Sequence, residues 1–417
     1  MISSLNNKDQ FGFYKIGDSL TTYSKIEAIE LSTRLNLPVK WIFNEHIYSN
    51  INWTHEPSES LLDIYARRAR QIREKYDYIV IFYSGGADSN NVLLSFLNNG
   101  LHVDEIAQFH TYQGDGSWDS YFNEEIKKVA LPETQKILEK FPLIKHRVID
   151  LSELVHNLLN DDDNRFDFIY KCNSVFSPNQ LSRTYFRERI KDYQDIIDSG
   201  RKLCFVWGTD KPCLKYVNNR FAVNFRDSLI DMAVGSRTQQ LNRGWEHDEL
   251  FYWSPDCPEI PVKQGHLIMK YLKSFPIDST DHRWVAPWVA VPEDPIRKEI
   301  GYSPYSLIHS TIHGDVIRNG VKYSLTPDGL HQIIYPFWNP DTFSNGKPPS
   351  LIFSPRDSWW RKDINEKNQL MHANAMAKLI SVYKDKWFTC KPIYRNQTFD
   401  MKTSNIKTIE SQLYFLE

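Results

Sequence analysis

The five cysteines, Cys172, Cys204, Cys213, Cys257 and Cys390, include no Cys-x-x-Cys pair. Their odd number and wide spacing argue against a disulfide framework and against an ordinary structural zinc site, so they read as reduced thiols. A run of the roughly 18 apolar residues that a membrane span needs is also missing. The opening Met1-Ile2-Ser3-Ser4-Leu5-Asn6-Asn7-Lys8 carries no secretory apolar segment. The expected location is the cytoplasm. Charge of one sign is lacking too: 50 Lys and Arg stand against 52 Asp and Glu, for a formal net charge of −2. That balance gives no global footprint for nucleic acid, although a local basic groove remains compatible with it. Internal repeats and low-complexity tracts are absent, and nothing in the chain fixes an oligomeric state.

What is present is an ordinary globular composition, 41% hydrophobic and 24% charged over 417 residues. Single cores rarely grow beyond about 250–300 residues, so two or three domains are expected. Aromatic content is 14%, and of the twelve tryptophans only Trp41, Trp53 and Trp118 precede Trp207. That shift marks a C-terminal region of different character. The expected divisions are an N-terminal α/β module over 1–75, an α/β domain over 76–235 and a Trp-rich accessory or substrate region over 236–417.

In the leading module, Phe11–Tyr14 and Val39–Phe43 read as strands flanking a helix over Tyr23–Leu35. Ser60 with Asp63 three residues on is a capping-box-like start for a second helix, whose stripe is Leu61, Tyr65, Ala69 and Ile72. Arg67, Arg68, Arg70 and Arg73 are expected mostly on its other, solvated faces. From Tyr76 strands and helices alternate. Tyr78–Tyr83 is a continuous apolar run, as in a strand buried on both faces of a parallel sheet. A helix over Asp88–Leu97 follows, closed at Asn98-Asn99-Gly100. Val103–Phe109 is the next strand, Asn123–Phe141 a helix interrupted at Pro132, and Ile144–Ile149 a third strand. A long helix over Gln180–Ile197, closed by Gly200, leads to a fourth strand, Leu203–Trp207. This order predicts an α/β fold with a doubly wound parallel sheet, beside a small N-terminal module and an irregular α+β C-terminal region. Beyond Asp210 the alternation breaks down. Leu214–Val217 and Arg220–Phe225 read as a hairpin turned at Asn218-Asn219, and Lys263–Phe275 as a helix.

Ser84-Gly85-Gly86-Ala87-Asp88-Ser89 lies where the first apolar strand turns into a helix. Paired glycines let the backbone approach a ligand closely, and the exposed N–H groups and positive dipole end of the helix favour an anion. Ser84 and Ser89 add hydroxyl donors. A carboxylate at Asp88 is out of place for phosphate binding alone, and a bridging Mg²⁺ gives it a reason. No Gly-Lys-[Ser/Thr] follows, so the loop is not a Walker A loop, and it lacks the dinucleotide Gly-x-Gly-x-x-Gly pattern.

The segment resembles the Ser-Gly-Gly-x-Asp-Ser signature of the PP-loop ATP pyrophosphatases, a superfamily that includes asparagine synthetase, GMP synthetase, argininosuccinate synthetase and the tRNA lysidine and thiolation enzymes. The resemblance spans Tyr76 to about Tyr216. It implies a HUP-like domain, ATP and Mg²⁺ as ligands, and a loop of Tyr83, Ser84, Gly85, Gly86, Ala87, Asp88 and Ser89 that holds pyrophosphate while an acceptor oxygen attacks the α-phosphate. The strand and turn Phe205-Val206-Trp207-Gly208-Thr209-Asp210-Lys211 looks similar to a later phosphate-facing loop of asparagine-synthetase-like members. By that resemblance Gly208 joins the binding set, Asp88 and Asp210 are the metal carboxylates, and Asp88, Asp210 and Lys211 are the catalytic candidates. Phe109 and His110, at the end of the second strand, fall where resembling enzymes contact adenine. The layout as a whole is similar to asparagine-synthase-like proteins of large tailed phages, and for a viral protein the expected cytoplasm is that of the host.

Missing residues argue several branches down. The segment before Cys172 holds no nucleophilic Cys for glutamine-dependent amide transfer, the clustered cysteines of deazapurine synthases and many thiolation enzymes are absent, and Cys390 lacks the Cys-Gly-x-His setting of the phosphosulfate reductases. The leading expectation is Mg-ATP-dependent adenylation of an oxygen acceptor with release of pyrophosphate, then transfer to a nitrogen nucleophile. The alternatives are a nucleotide sensor or interaction scaffold with the same fold, and a sulfur-transfer or reductase-type enzyme. Arg183, Arg187 and Arg189 read equally as phosphate contacts or a solvated helix face, and the Trp-rich cluster 354–362 as domain packing.

Overall fold

Residues 8–110, 126, 130–150, 190–208, 212–217, 220–227, 247–273, 315–318, 321–324, 333–337, 388–392, 402–406 and 409–417 are described by the computed structural model. The chain opens on a small antiparallel sheet in the order β2-β1-β3, made of β1 (Phe13–Ile16), β2 (Leu20–Thr22) and β3 (Val39–Ile42), with α1 (Lys25–Leu35) between β2 and β3. A short α2 (Glu45–Tyr48) and then α3 (Leu61–Lys75) lead out of it. Ser60 caps α3 as its sequence suggests: its hydroxyl accepts from the Asp63 amide at 3.2 Å and donates to the Asp63 carboxylate at 2.6 Å.

The main sheet is five-stranded and parallel throughout. Its strands are β4 (Tyr78–Phe82), β5 (Glu105–His110), β6 (Lys145–Asp150), β7 (Leu203–Trp207) and β10 (Asp248–Leu250), in the order β10-β7-β4-β5-β6. Between them run α4 (Ala87–Leu97), α5 (Leu131–Lys140) and α6 (Lys191–Asp198). Side chains alternate across a strand, so Glu105 and Gln108 of β5 point to opposite faces. Glu105 accepts from Tyr193 of α6 at 2.5 Å, whereas Gln108 donates to Thr134 of α5 at 2.7 Å. Helices therefore cover both faces. The path from β4 through β5 to β6 runs one way, and β7 returns to the other side of β4. The direction of winding reverses between β4 and β7, the position at which open α/β sheets form a crevice at their strand ends.

After β7 comes the expected hairpin, β8 (Cys213–Val217) and β9 (Arg220–Asn224), joined by β15 (Tyr414–Phe415) in the order β15-β9-β8. Helix α7 (Glu259–Lys273) follows β10, and two further antiparallel pairs are β11 (Asp315–Arg318) with β12 (Val321–Ser324) and β13 (Phe388–Pro392) with β14 (Lys402–Ile406). One apolar cluster contains residues from Phe11 to Leu416 and so draws on all three expected divisions. Its second focus is aromatic: Phe225 lies 5.0 Å from Phe43 and 5.1 Å from Trp253, and Trp53 stacks on Tyr414 at 4.6 Å. Beside it the buried pair Lys25 and Asp227, 2.7 Å apart, also takes the Tyr14 hydroxyl and the Ile409 amide, tying the first strands to the last residues. Among the described residues no helix is long and apolar enough to cross a membrane.

Three expectations need correction. Alternation does not end at Asp210, because Asp248-Glu249-Leu250 returns as a parallel edge strand on β7. Arg68 is not on a solvated face; it is 1% exposed and bonded to Glu249. Residues 126 and 130 are already in helical conformation and the α-helical part, α5, starts at Leu131 with Pro132 in its first turn, where proline's missing N–H removes no bond of that helix. Helix α6 begins at Lys191, and residues 180–189, with Arg183, Arg187 and Arg189, lie outside the described residues.

Candidate functional site

At the carboxyl end of β4 the backbone leaves the sheet at Tyr83, whose amide still donates to Ala107 at 3.0 Å. Gly85 then takes a φ of 76°, in the left-handed region that disfavours residues with a Cβ. Gly86 has φ −73° and ψ 163°, an extended conformation open to any residue, and serves as the N-cap of α4 with no side-chain cap bond. The two glycines thus have separate reasons. Gly85 makes the turn, and Gly86 leaves the helix entrance without a side chain.

The serines shape the loop from within. The Ser84 and Ser89 hydroxyls lie 3.2 Å apart; the Ser84 amide donates to Ser89 Oγ at 3.2 Å, the Gly86 amide donates to Ser84 Oγ at 3.2 Å, and Ser89 Oγ donates to the Gly86 carbonyl at 3.1 Å. Ser84 is exposed while Ser89 is buried. Ser84 is therefore the hydroxyl at the surface, and Ser89 holds the turn. Tyr83 is buried with its hydroxyl donating to Asn90 at 3.2 Å; burial, then the Glu133 charge, pushes its phenol above the ordinary range, so it stays protonated.

Gly208 follows β7 on the opposite lip of the crevice. A Cβ there would sit 3.3 Å from Val92 Cγ2 and 3.4 Å from backbone atoms of Asp88 and Ser89. The strand end therefore lies directly against the first turn of α4. Phe109 joins two aromatics that the sequence did not single out: Phe82 stacks on Phe109 at 4.7 Å and on Trp207 at 4.1 Å, which makes a shelf across the ends of β5, β4 and β7. The Trp207 indole donates to buried Asp248 at 2.6 Å. Strand alternation was the signal available, since Phe82 and Trp207 are the last residues of adjacent strands.

Asp88 occupies the first turn of α4, where a carboxylate complements the helix dipole. Two tyrosines from distant segments reach it. The Tyr252 hydroxyl donates to its backbone carbonyl at 2.8 Å, and the Tyr335 hydroxyl donates to its carboxylate. Neither was foreseen.

No protein-family model and no curated protein matches this chain.

The structure brings together Tyr83, Ser84, Gly85, Gly86, Ala87, Asp88, Ser89, Phe109 and Gly208 at one end of the sheet. His110 ends β5, and its side chain lies outside the described residues, as do Asp210, Lys211 and the cluster 354–362. Among the described residues no group of three or more His, Cys, Asp or Glu is arranged to hold a metal ion. The two described cysteines free of disulfides, Cys204 and Cys257, are buried. Burial pushes the Cys257 thiol up to about 12, with the nearby Arg67 and Arg68 pulling the other way, so it is a poor nucleophile at neutral pH.

Proposed function

We propose that this chain is an adenylating enzyme of the PP-loop ATP pyrophosphatase type, with a HUP-like nucleotide domain. The observation that carries the reading is the position of the loop: a serine- and glycine-lined helix entrance at the end of β4, beside the winding reversal, with Gly208 of the neighbouring strand against it. An anion at that entrance would meet backbone amides, the Ser84 hydroxyl and the positive end of α4. Of the three stacked rings Phe82 and Trp207 are buried, and half-buried Phe109 is the one that would offer a face to a purine. Asp88 would hold Mg²⁺, with Asp210 proposed as a second carboxylate and Lys211 as a partner of the α-phosphate. The ion supplies positive charge to the polyphosphate; the chain's own work is to orient the phosphates and keep donors fixed before charge develops.

In the proposed reaction a carboxylate or carbonyl oxygen of the acceptor attacks the α-phosphorus, and the bond to the bridging oxygen breaks as pyrophosphate leaves. A nitrogen nucleophile then attacks the activated carbon, loses a proton and displaces AMP. Product chromatography after incubation with Mg-ATP, ammonium and a panel of carboxylates should show AMP and pyrophosphate. ADP and phosphate as the main products would remove the chain from this class.

A binding test needs no acceptor. Because Gly86 is extended, Gly86→Val is compatible with the backbone and places a branched side chain at the helix entrance. ATP affinity measured by calorimetry should fall about tenfold or more, equivalent to about 1.4 kcal/mol. Undiminished affinity in the folded variant would rule out the loop as the phosphate site.

A further inference from the structure

We infer that the C-terminal segment 333–337 completes the nucleotide site, with Tyr335 as the positioning residue of Asp88; the inference rests on the Mg-ATP reading of the loop. Tyr335 is 1% exposed, and its hydroxyl donates to Asp88 Oδ1 across 247 positions of sequence. The segment is held there by further bonds. The preceding carbonyl, of buried Ile334, accepts from the Tyr65 hydroxyl of α3 at 2.7 Å, and that hydroxyl in turn accepts from Gln264 of α7 at 2.9 Å. Tyr252 packs between them, 5.6 Å from the Tyr65 ring and 5.7 Å from the Tyr335 ring. Its own hydroxyl accepts from Asn91 at 3.0 Å and donates to the Asp88 carbonyl. Asp88 is thus gripped at backbone and carboxylate by tyrosines anchored on three helices.

Packing alone would need only the ring of Tyr335. The hydroxyl adds a charge-assisted bond that fixes the carboxylate in one orientation, and a ligand group already oriented loses less freedom when a cation arrives.

The test is calorimetric titration of the full chain with a non-hydrolysable ATP analogue over a range of Mg²⁺ concentrations. Tyr335→Phe should raise the Mg²⁺ concentration needed for half-maximal binding about tenfold, while metal-free analogue affinity changes less than about twofold. Added to Asp88→Ala, which leaves the hydroxyl no carboxylate or amide to orient, it should cause no further change. An unchanged or lowered Mg²⁺ requirement, or effects that add in the double variant, would overturn the inference while leaving the loop assignment standing. Absence of analogue binding by the wild-type chain would overturn the parent reading instead, and the inference with it.

Discussion

Arg68→Ala is expected to cost about 3–5 kcal/mol of stability, the range for breaking a buried ion pair by removing one partner. The Arg68 guanidinium donates to Glu249 at 2.6 Å and to the Leu250 carbonyl at 3.0 Å, and both partners of the pair are almost fully buried. Lys75 at 2.7 Å and the Tyr76 hydroxyl at 2.8 Å complete the shell around Glu249. Burial alone would push the Glu249 carboxyl up, but Arg68 and Lys75 outweigh it and hold the group below its usual range. Removing Arg68 leaves a buried carboxylate with one partly exposed lysine and a phenol. It also removes one of the two α3 side chains that fasten edge strand β10, leaving Lys75 as the other. Urea denaturation should show the midpoint fall for Arg68→Ala, whereas exposed Arg70→Ala should stay within about 0.5 kcal/mol. The double replacement Arg68→Met with Glu249→Leu should recover much of the loss, since no charge then remains buried. The sign of the pH dependence follows: a folded-state carboxyl below its unfolded value of about 4.3 contributes stability that is complete above that value. The contribution is lost as pH falls through the folded-state value, and in Glu249→Gln that part of the acid-side slope should vanish.

Asp88→Asn is expected to lower Mg-dependent pyrophosphate release by roughly 10²-fold or more, about 2.7 kcal/mol of transition-state stabilisation. A carboxylate beside a polyphosphate is unfavourable unless a cation lies between them. The fold should tolerate the change. Gly86, not Asp88, is the N-cap of α4, so the cost to stability is confined to the helix-dipole term of about 0.3–1 kcal/mol. Asn also keeps an oxygen that can accept from Tyr335. If Asp88 served only the dipole, Asn would leave turnover nearly intact, and wild-type turnover in a variant of unchanged thermal midpoint would leave the metal role without support.

The loop was legible because its signals are local. An apolar run without alternation, two adjacent glycines and a helical stripe within twenty residues specify strand, turn and helix together. The Ser60 cap, the β8–β9 hairpin and the closing glycines of α4 and α6 were legible for the same reason. Arg68 was a partial case. It falls four residues after Ile64 and seven after Leu61, on the apolar stripe of α3, and an arginine at a core position of a helix calls for a buried carboxylate. Its partner, Glu249, stands 181 residues away in a strand of three residues with no apolar run of its own.

By itself the sequence determined the elements from Tyr78 to Leu97 and the chemistry gathered at their junction, because backbone propensity, side-chain spacing and glycine's freedom act between near neighbours. Only the tertiary structure decided that Asp248–Leu250 closes the sheet edge, that Phe82, Phe109 and Trp207 form one shelf, and that Tyr252 and Tyr335 meet at Asp88. Those contacts join segments far apart in the chain. Their stabilisation comes from shared burial and from hydrogen bonds that exist only once the surrounding elements have packed, so no local pattern announces them.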